Sequence, residues 1–167
     1  DLAQKGVPVI GVPKTIDNDI GGTEITFGFD TALNIATEAI DRLHTTAESH
    51  HRAMVIELMG RDAGFVALNA GVSGGADVIL IPEIPFKFES IMAKIHSRAA
   101  KGRKFSILAV SEGAKPQGGE QVYSRGGDEV YVPRLGGVGH MVGEYIEKQG
   151  FESRVTVLGH LQRGGTP

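Results

Sequence analysis

Three observations predict an α/β fold in which helices cover both faces of a parallel sheet. Short, continuously apolar runs recur along the chain. Segments with apolar residues at steps of three and four separate them, which is the spacing of one helix face. Glycine or proline marks most of the boundaries. Runs that are apolar throughout, rather than alternating, are what strands buried on both faces require.

The elements follow in order. Residues 7–12 form the first predicted strand, closed by Pro13. Phe29, Leu33, Ala36, Ile40, Leu43 and Ala47 then fall on one face of a long helix. Residues 54–58 read as a second strand, and 63–72 as a short helix ended by Gly74-Gly75. A third strand over 78–81 stops at Pro82, and a helix over 88–101 takes Gly102 as its C-terminal cap. A fourth strand covers 105–110, a helix capped by Gly150 covers 135–149, and a fifth strand covers 155–158. Gly139 and Gly143, four apart, permit close helix packing. The irregular stretch is 114–133, with Gly118-Gly119, Gly126-Gly127 and mixed charge. Tyr123, Val130 and Tyr131 would let part of it form a hairpin.

Composition narrows the function. The chain has 167 residues, 41% of them hydrophobic, and a formal net charge of −3. That balance argues against a nucleic-acid surface and against an anionic membrane. No apolar run approaches the roughly 20 residues of a membrane span. There is no cysteine, and no basic stretch leads into an apolar one, so a cytoplasmic protein without disulfides is expected. The chain begins at Asp1 and stops at Pro167 after a Gly-Gly turn, which reads as a fragment of a longer protein.

Ligands of open parallel sheets bind beyond the carboxyl ends of the strands. After the first predicted strand come Lys14, Thr15, Asp17 and Asp19. After the second come Met59, Gly60 and Arg61; after the third, Glu83; after the fourth, Glu112; after the fifth, His160, Gln162 and Arg163. Five handovers to charged residues of both signs fit an anionic, polyhydroxylated ligand. Of two carboxylates two residues apart, one can take a proton from a hydroxyl and the other can hold Mg²⁺ through water. Lys14 and Thr15 are placed to contact a migrating phosphoryl group. The same Asp- and Asn-rich stretch, followed by Gly21-Gly22, is also the composition of a plain turn. Met59-Gly60-Arg61 equally fits a turn with a solvated arginine. His160 to Arg163, with Gly164-Gly165, has the parts of a phosphate grip or of a glycine turn after a strand. His50 and His51 end a helix, where positive charge suits the dipole. His44 and His96 read as surface residues. His140 sits at a glycine-rich helix start that lacks a complete dinucleotide fingerprint.

Three segments together resemble the signature blocks of the 6-phosphofructokinases: Pro13-Lys14-Thr15-Ile16-Asp17-Asn18-Asp19, Met59-Gly60-Arg61, and Gly159-His160-Leu161-Gln162-Arg163-Gly164-Gly165. They occur in the family's order, and the resemblance runs from Val7 to Pro167, with 114–138 longer than in short bacterial members. The resemblance implies Rossmann-type parallel sheets in two interleaved domains. Residues 1–28 and 161–167 would belong to the first, phosphoryl-donor domain, and 29–160 to the second, sugar-phosphate domain. It implies phosphoryl transfer to the 1-hydroxyl of fructose 6-phosphate, with Asp17 as base. Thr15, Lys14 and Arg61 would stabilise the moving group, and Asp19 would help place Mg²⁺ and substrate. Met59, Gly60 and Glu112 would hold the sugar, and His160 and Arg163 the 6-phosphate. Arg52 and Arg154 match arginines that reach a neighbouring subunit's site, so a dimer or tetramer is implied. Glu83 matches a position that in some relatives helps bind effector nucleotide.

The resemblance leaves the donor open. Lys14 is shared by pyrophosphate-dependent members and by a long bacterial subgroup that uses ATP. The run Thr26-Phe27-Gly28-Phe29-Asp30 and the segment Leu161-Gln162-Arg163 look more like the ATP users, so ATP is expected. A catalytically silent, sugar-phosphate-binding subunit is the alternative of another class. No P-loop pattern supports a kinase of a different fold.

Overall fold

The computed structural model describes residues 2–125 and 134–166. Its centre is a four-stranded, all-parallel sheet. The strands are β1 (Ala53–Leu58), β2 (Val78–Leu80), β3 (Ser106–Ser111) and β6 (Ser153–Val157), in the spatial order β2-β3-β1-β6. Two short antiparallel strands, β4 (Tyr123–Arg125) and β5 (Arg134–Leu135), lie apart from it. The helices are α1 (Phe29–His50), α2 (Phe65–Ser73), α3 (Phe88–Ala100) and α4 (Val138–Lys148), and a 3-10 turn spans Gly159–Arg163.

Every residue of β1 and β3 is buried, because both of their faces are covered. Alternate side chains feed two cores. Met54, Ile56, Leu58, Ile107 and Ala109 pack under α1 and α2. Val55, Leu108 and Val110 pack on the other side with Ile91, Val142 and Ile146 of α3 and α4. The predicted helix faces hold: Phe29, Ala36, Ile40 and Ala47 are buried in α1. Gly102 and Gly150 take left-handed conformations just past the ends of α3 and α4. Gly143 does permit close packing, but against a strand. A Cβ there would lie 2.7 Å from Val155 Cγ2 of β6.

One expected strand does not form. Residues 7–12 carry no strand pairing among the described residues, and Ile10 is 93% exposed. Apolarity marks a run for burial, but a strand exists only where a neighbour takes its backbone hydrogen bonds. No strand of this sheet does so. Of the expected hairpin, Tyr123 does pair, but with Leu135 in the β4–β5 ladder, beyond the 114–133 stretch; Val130 and Tyr131 lie outside the described residues. His44 is no free surface residue: its Nε2 lies 2.7 Å from the Gly74 carbonyl, and its ring meets Phe105 edge-on. It fastens the C-terminal part of α1 to the end of α2.

Candidate active site

The sheet sends its carboxyl ends to one side, and the loops that leave them meet there. The loop at 13–19 reaches the same place without a strand. It is shaped by its own hydrogen bonds. Asn18 Oδ1 accepts the Thr26 amide at 2.9 Å, and the buried Thr26 hydroxyl donates to the Asp17 carbonyl at 2.9 Å. The Thr15 hydroxyl lies 3.2 Å from Asp17 Oδ2 and accepts the Asp17 amide at 3.2 Å. The Gly28 amide donates to the Thr15 carbonyl at 3.1 Å, which seats the loop on the first turn of α1. Only glycine allows that approach, since a Cβ at Gly28 would stand 2.7 Å from the Lys14 oxygen. Asp17 and Lys14 are left exposed.

Two adjoining clefts result. The first, about 760 Å³, holds Lys14, Thr15, Asp17, Gln162 and Arg163. The second, about 420 Å³, holds Glu57, Arg61, Glu112, His140 and His160. Met59 lines both, so it stands at their junction. The structure thus brings together Lys14, Thr15, Asp17 and Arg163 on one side of Met59, and Arg61, Glu112 and His160 on the other. Asp19 is exposed and lines neither cleft. Among the described residues no three acidic, histidine or cysteine side chains cluster as a metal cage.

The turn after β1 is tied down from both sides. Gly60 adopts φ 145°, which favours glycine, and its carbonyl accepts the Ser111 hydroxyl at 2.6 Å and the Gly113 amide at 3.0 Å. The fully buried Gln162 accepts the Met59 amide at 3.3 Å and donates to the Gly159 carbonyl at 2.9 Å. Sequence reasoning placed Gln162 near the site but gave it no task. A polar residue between Leu161 and Arg163 carries no periodic signal. Burial pushes the Glu112 carboxyl above the ordinary range; a hydrogen bond from Gly60 and the charge of Arg61 oppose that, and the charges of Glu57 and Asp17 reinforce it.

Glu57 is the second residue that pattern reading passed over. It lies in β1, where the run around it looks uniformly apolar, and it is only 3% exposed. Its carboxylate accepts the amides of Gly137 and Gly139 at the start of α4. That is where a helix favours an anion.

Arg52 and Arg154 lie elsewhere. Arg52 precedes β1 and pairs with Glu152 at 2.7 Å; Arg154, at the start of β6, pairs with the same carboxylate at 2.8 Å. The hydrogen bond from Arg52 comes first among the causes that hold the Glu152 carboxyl below its usual range. Both arginines sit at the amino ends of parallel strands whose carboxyl ends carry Met59 and His160. A six-residue strand separates those ends by roughly 17–20 Å.

Comparison with known proteins agrees with this geometry. The chain is 61% identical to the ATP-dependent 6-phosphofructokinase of Chloroflexus aggregans, over 100% of this chain and 46% of that protein. It is 54% identical to the pyrophosphate–fructose 6-phosphate 1-phosphotransferase of Amycolatopsis mediterranei, over 99% of this chain and 49% of the relative. The chain therefore spans about half the length of the curated relatives it matches. Phosphofructokinase from Saccharomyces cerevisiae superposes with a TM-score of 0.78 at 35% identity, covering 93% of this chain and 19% of the yeast chain. The pyrophosphate-dependent phosphofructokinase of Nitrosospira multiformis gives 0.75 at 27% identity, covering 97% and 40%. The Phosphofructokinase family matches residues 1–167, and with the clefts around Asp17, Met59 and Arg61 this shows that the chain belongs to that family.

Proposed function

We propose that this chain forms the acceptor side of an ATP-dependent 6-phosphofructokinase, which converts fructose 6-phosphate to fructose 1,6-bisphosphate in glycolysis. The observation that carries the reading is the pair of clefts joined at Met59. Lys14, Asp17 and Arg163 line one, and Arg61, the carboxyls of Glu57 and Glu112 and the imidazoles of His140 and His160 line the other. A sugar spanning the junction would offer its 1-hydroxyl to Asp17. Asp17 takes the hydroxyl proton while the sugar oxygen bonds to the terminal phosphorus of the donor and the bond to the donor's bridging oxygen breaks. Thr15, Lys14 and Arg61 stabilise the charge spread over the moving phosphoryl group. Met59, Gly60 and Glu112 hold the sugar, and His160 from the second cleft and Arg163, reaching past Met59 from the first, grip the 6-phosphate.

Asp19, the carboxylate proposed for Mg²⁺, lies outside both clefts, so it would act on the ion from a distance. The ion keeps several waters and needs only one or two carboxylates beside the phosphates, so Asp19 would hold it through water. When bound it would neutralise charge on the donor phosphates.

The remaining assignments belong to the same proposal. Residues 1–28 and 161–167 go with the donor domain and 29–160 with the sugar-phosphate domain. The apolar, exposed run at 7–12 accords with a strand completed by other parts of a longer protein. Arg52 and Arg154, at the far end of the sheet from Met59, are suited to a neighbouring subunit's 6-phosphate in a cytoplasmic dimer or tetramer. Among the described residues, no helix is long and apolar enough to cross a membrane.

Pyrophosphate is the second reading for the donor. Lys14 lies in the Asp17 cleft, where its side chain can fill space that a nucleotide phosphate would otherwise take and its ammonium can pair with pyrophosphate oxygens. The relative from Amycolatopsis, at 54% identity, carries the pyrophosphate-dependent name. A coupled assay of the full-length enzyme with ATP and with pyrophosphate decides between them. Turnover with ATP alone supports the first reading, and turnover with pyrophosphate alone overturns it. Binding of fructose 6-phosphate without turnover on either donor would instead identify a silent subunit.

A further inference from the structure

We propose that Gln121 is a positioning residue for Arg61, acting through the Arg61 backbone. This rests on the reading of Arg61 as a phosphoryl-stabilising group. Gln121 lies in the 114–133 stretch, to which sequence reasoning assigned no role.

The structure lays residues 114–122 as a strap against the loops that leave β1 and β3. Ala114 is fully buried, and the Phe86 amide donates to the Lys115 carbonyl at 3.0 Å while Phe86 accepts the Gln117 amide at 2.7 Å. At the far end the Val122 carbonyl accepts the Gly136 amide at 3.2 Å, just before α4. Between these anchors the Gln121 side chain points back. Its Nε2 donates to the Arg61 carbonyl at 3.0 Å and to the Gly113 carbonyl at 3.3 Å. The Tyr123 hydroxyl lies 3.4 Å from Gln121 Oε1, on the amide's other side. That leaves the NH₂ for the two carbonyls.

These two carbonyls belong to the loops after β1 and β3. Those loops press together so closely that any side chain at Gly113 would collide with the Arg61 carbonyl. One amide with two donors therefore clips both loops. The Arg61 guanidinium is exposed and has no ion pair among the described residues, so its backbone sets where it starts from. A loop that shifts by about 1 Å is enough to cost a large part of a rate that depends on placement.

The test uses the full-length enzyme. Gln121→Ala removes the clip, and Gln121→Glu is nearly isosteric but sets a carboxylate against two carbonyls. Both variants are expected to lower kcat about tenfold, with the KM for fructose 6-phosphate within about twofold and an unchanged thermal midpoint. In an Arg61→Ala background, Gln121→Ala is expected to add nothing further. The proposal is overturned if both single variants keep wild-type kcat. It is also overturned if Gln121→Ala costs the same factor with and without Arg61, because the strap would then act on the fold. A wild-type enzyme that does not phosphorylate fructose 6-phosphate overturns the reading of the site itself. A silent Gln121→Ala in an active enzyme overturns only the strap.

Discussion

Glu57 in the middle of the sheet accepts a 2.7 Å hydrogen bond from the Gly139 amide in the first turn of α4. With the two contacts to the Gly137 amide, it caps a helix from a strand 80 residues away in sequence. Charge-assisted bonds of this kind contribute about 1.5–3 kcal/mol each when buried. Glu57→Ala is therefore expected to lower the thermal midpoint and to speed amide exchange at 137–140. Unchanged exchange there would show that α4 does not depend on the carboxylate. Glu57→Gln, which keeps one acceptor oxygen, is expected to fall between the two.

Asp17 is expected to be the general base. Asp17→Ala should lower kcat by about 10²–10⁴, the usual scale for removing such a group. The KM for fructose 6-phosphate should change far less. Near-normal turnover would rule out the assignment.

Gly28 is a steric requirement rather than a conformational one, since its φ of −83° suits any residue. Gly28→Ala sets a methyl against the carbonyls of Lys14 and Thr15, at 2.7 and 2.9 Å. Overpacking of this kind costs about 1–3 kcal/mol. If the loop relieves it by moving, kcat falls with the displacement of Asp17. Measuring kcat and thermal midpoint on the same variant separates loop movement from loss of the fold.

Glu112 supplies a pH dependence of known sign. Burial raises its carboxyl pKa, so the folded form holds its proton at pH values where the unfolded chain has released it. The stability from this group is full below the ordinary carboxylate range and is lost as pH rises through the raised value. Glu112→Gln should remove that slope. Unfolding midpoints between about pH 4 and pH 8 test it, and parallel curves for wild type and variant would refute it.

Arg154 and Asp17 offer a test of shared sites. Full-length Asp17→Ala and Arg154→Ala enzymes should each be inactive or nearly so. If arginines cross between subunits, dissociating and reassembling a mixture creates sites with both residues intact. Activity should then exceed that of either parent. No recovery in verified hybrids would keep Arg154 within its own subunit.

Much of this arrangement is legible in the sequence. Met59, Glu112 and His160 follow buried strands, and the ends of parallel strands converge, so their neighbourhood followed from order alone. The loop at 13–19 reaches the cleft although 7–12 is no strand here. Its position comes instead from Gly28 and the Thr26 and Asn18 hydrogen bonds, which join residues eight to thirteen apart and leave no repeat. Gln162, Gln121 and Glu57 were illegible as participants. Each is a polar residue whose role depends on carbonyls and amides far away in sequence, and no spacing rule reports such a pairing. His44 misled for the same reason, since its partner is the backbone of Gly74.

The hydrogen bond from the Met59 amide to Gln162 spans 103 residues. Closing a loop of that length carries an entropic cost that no local contact offsets, so such contacts form late. The β1–β6 pairing closes a loop of the same order, since Ala53 faces Ser153, so only β1, β2, β3 and their helices depend on nearer partners and can form first. During synthesis, the protein would pass through a stage with a three-stranded sheet and no working cleft, and β6 would complete both together. Misplacing substrate-handling residues at that stage carries no chemical risk, because the cleft does not yet exist.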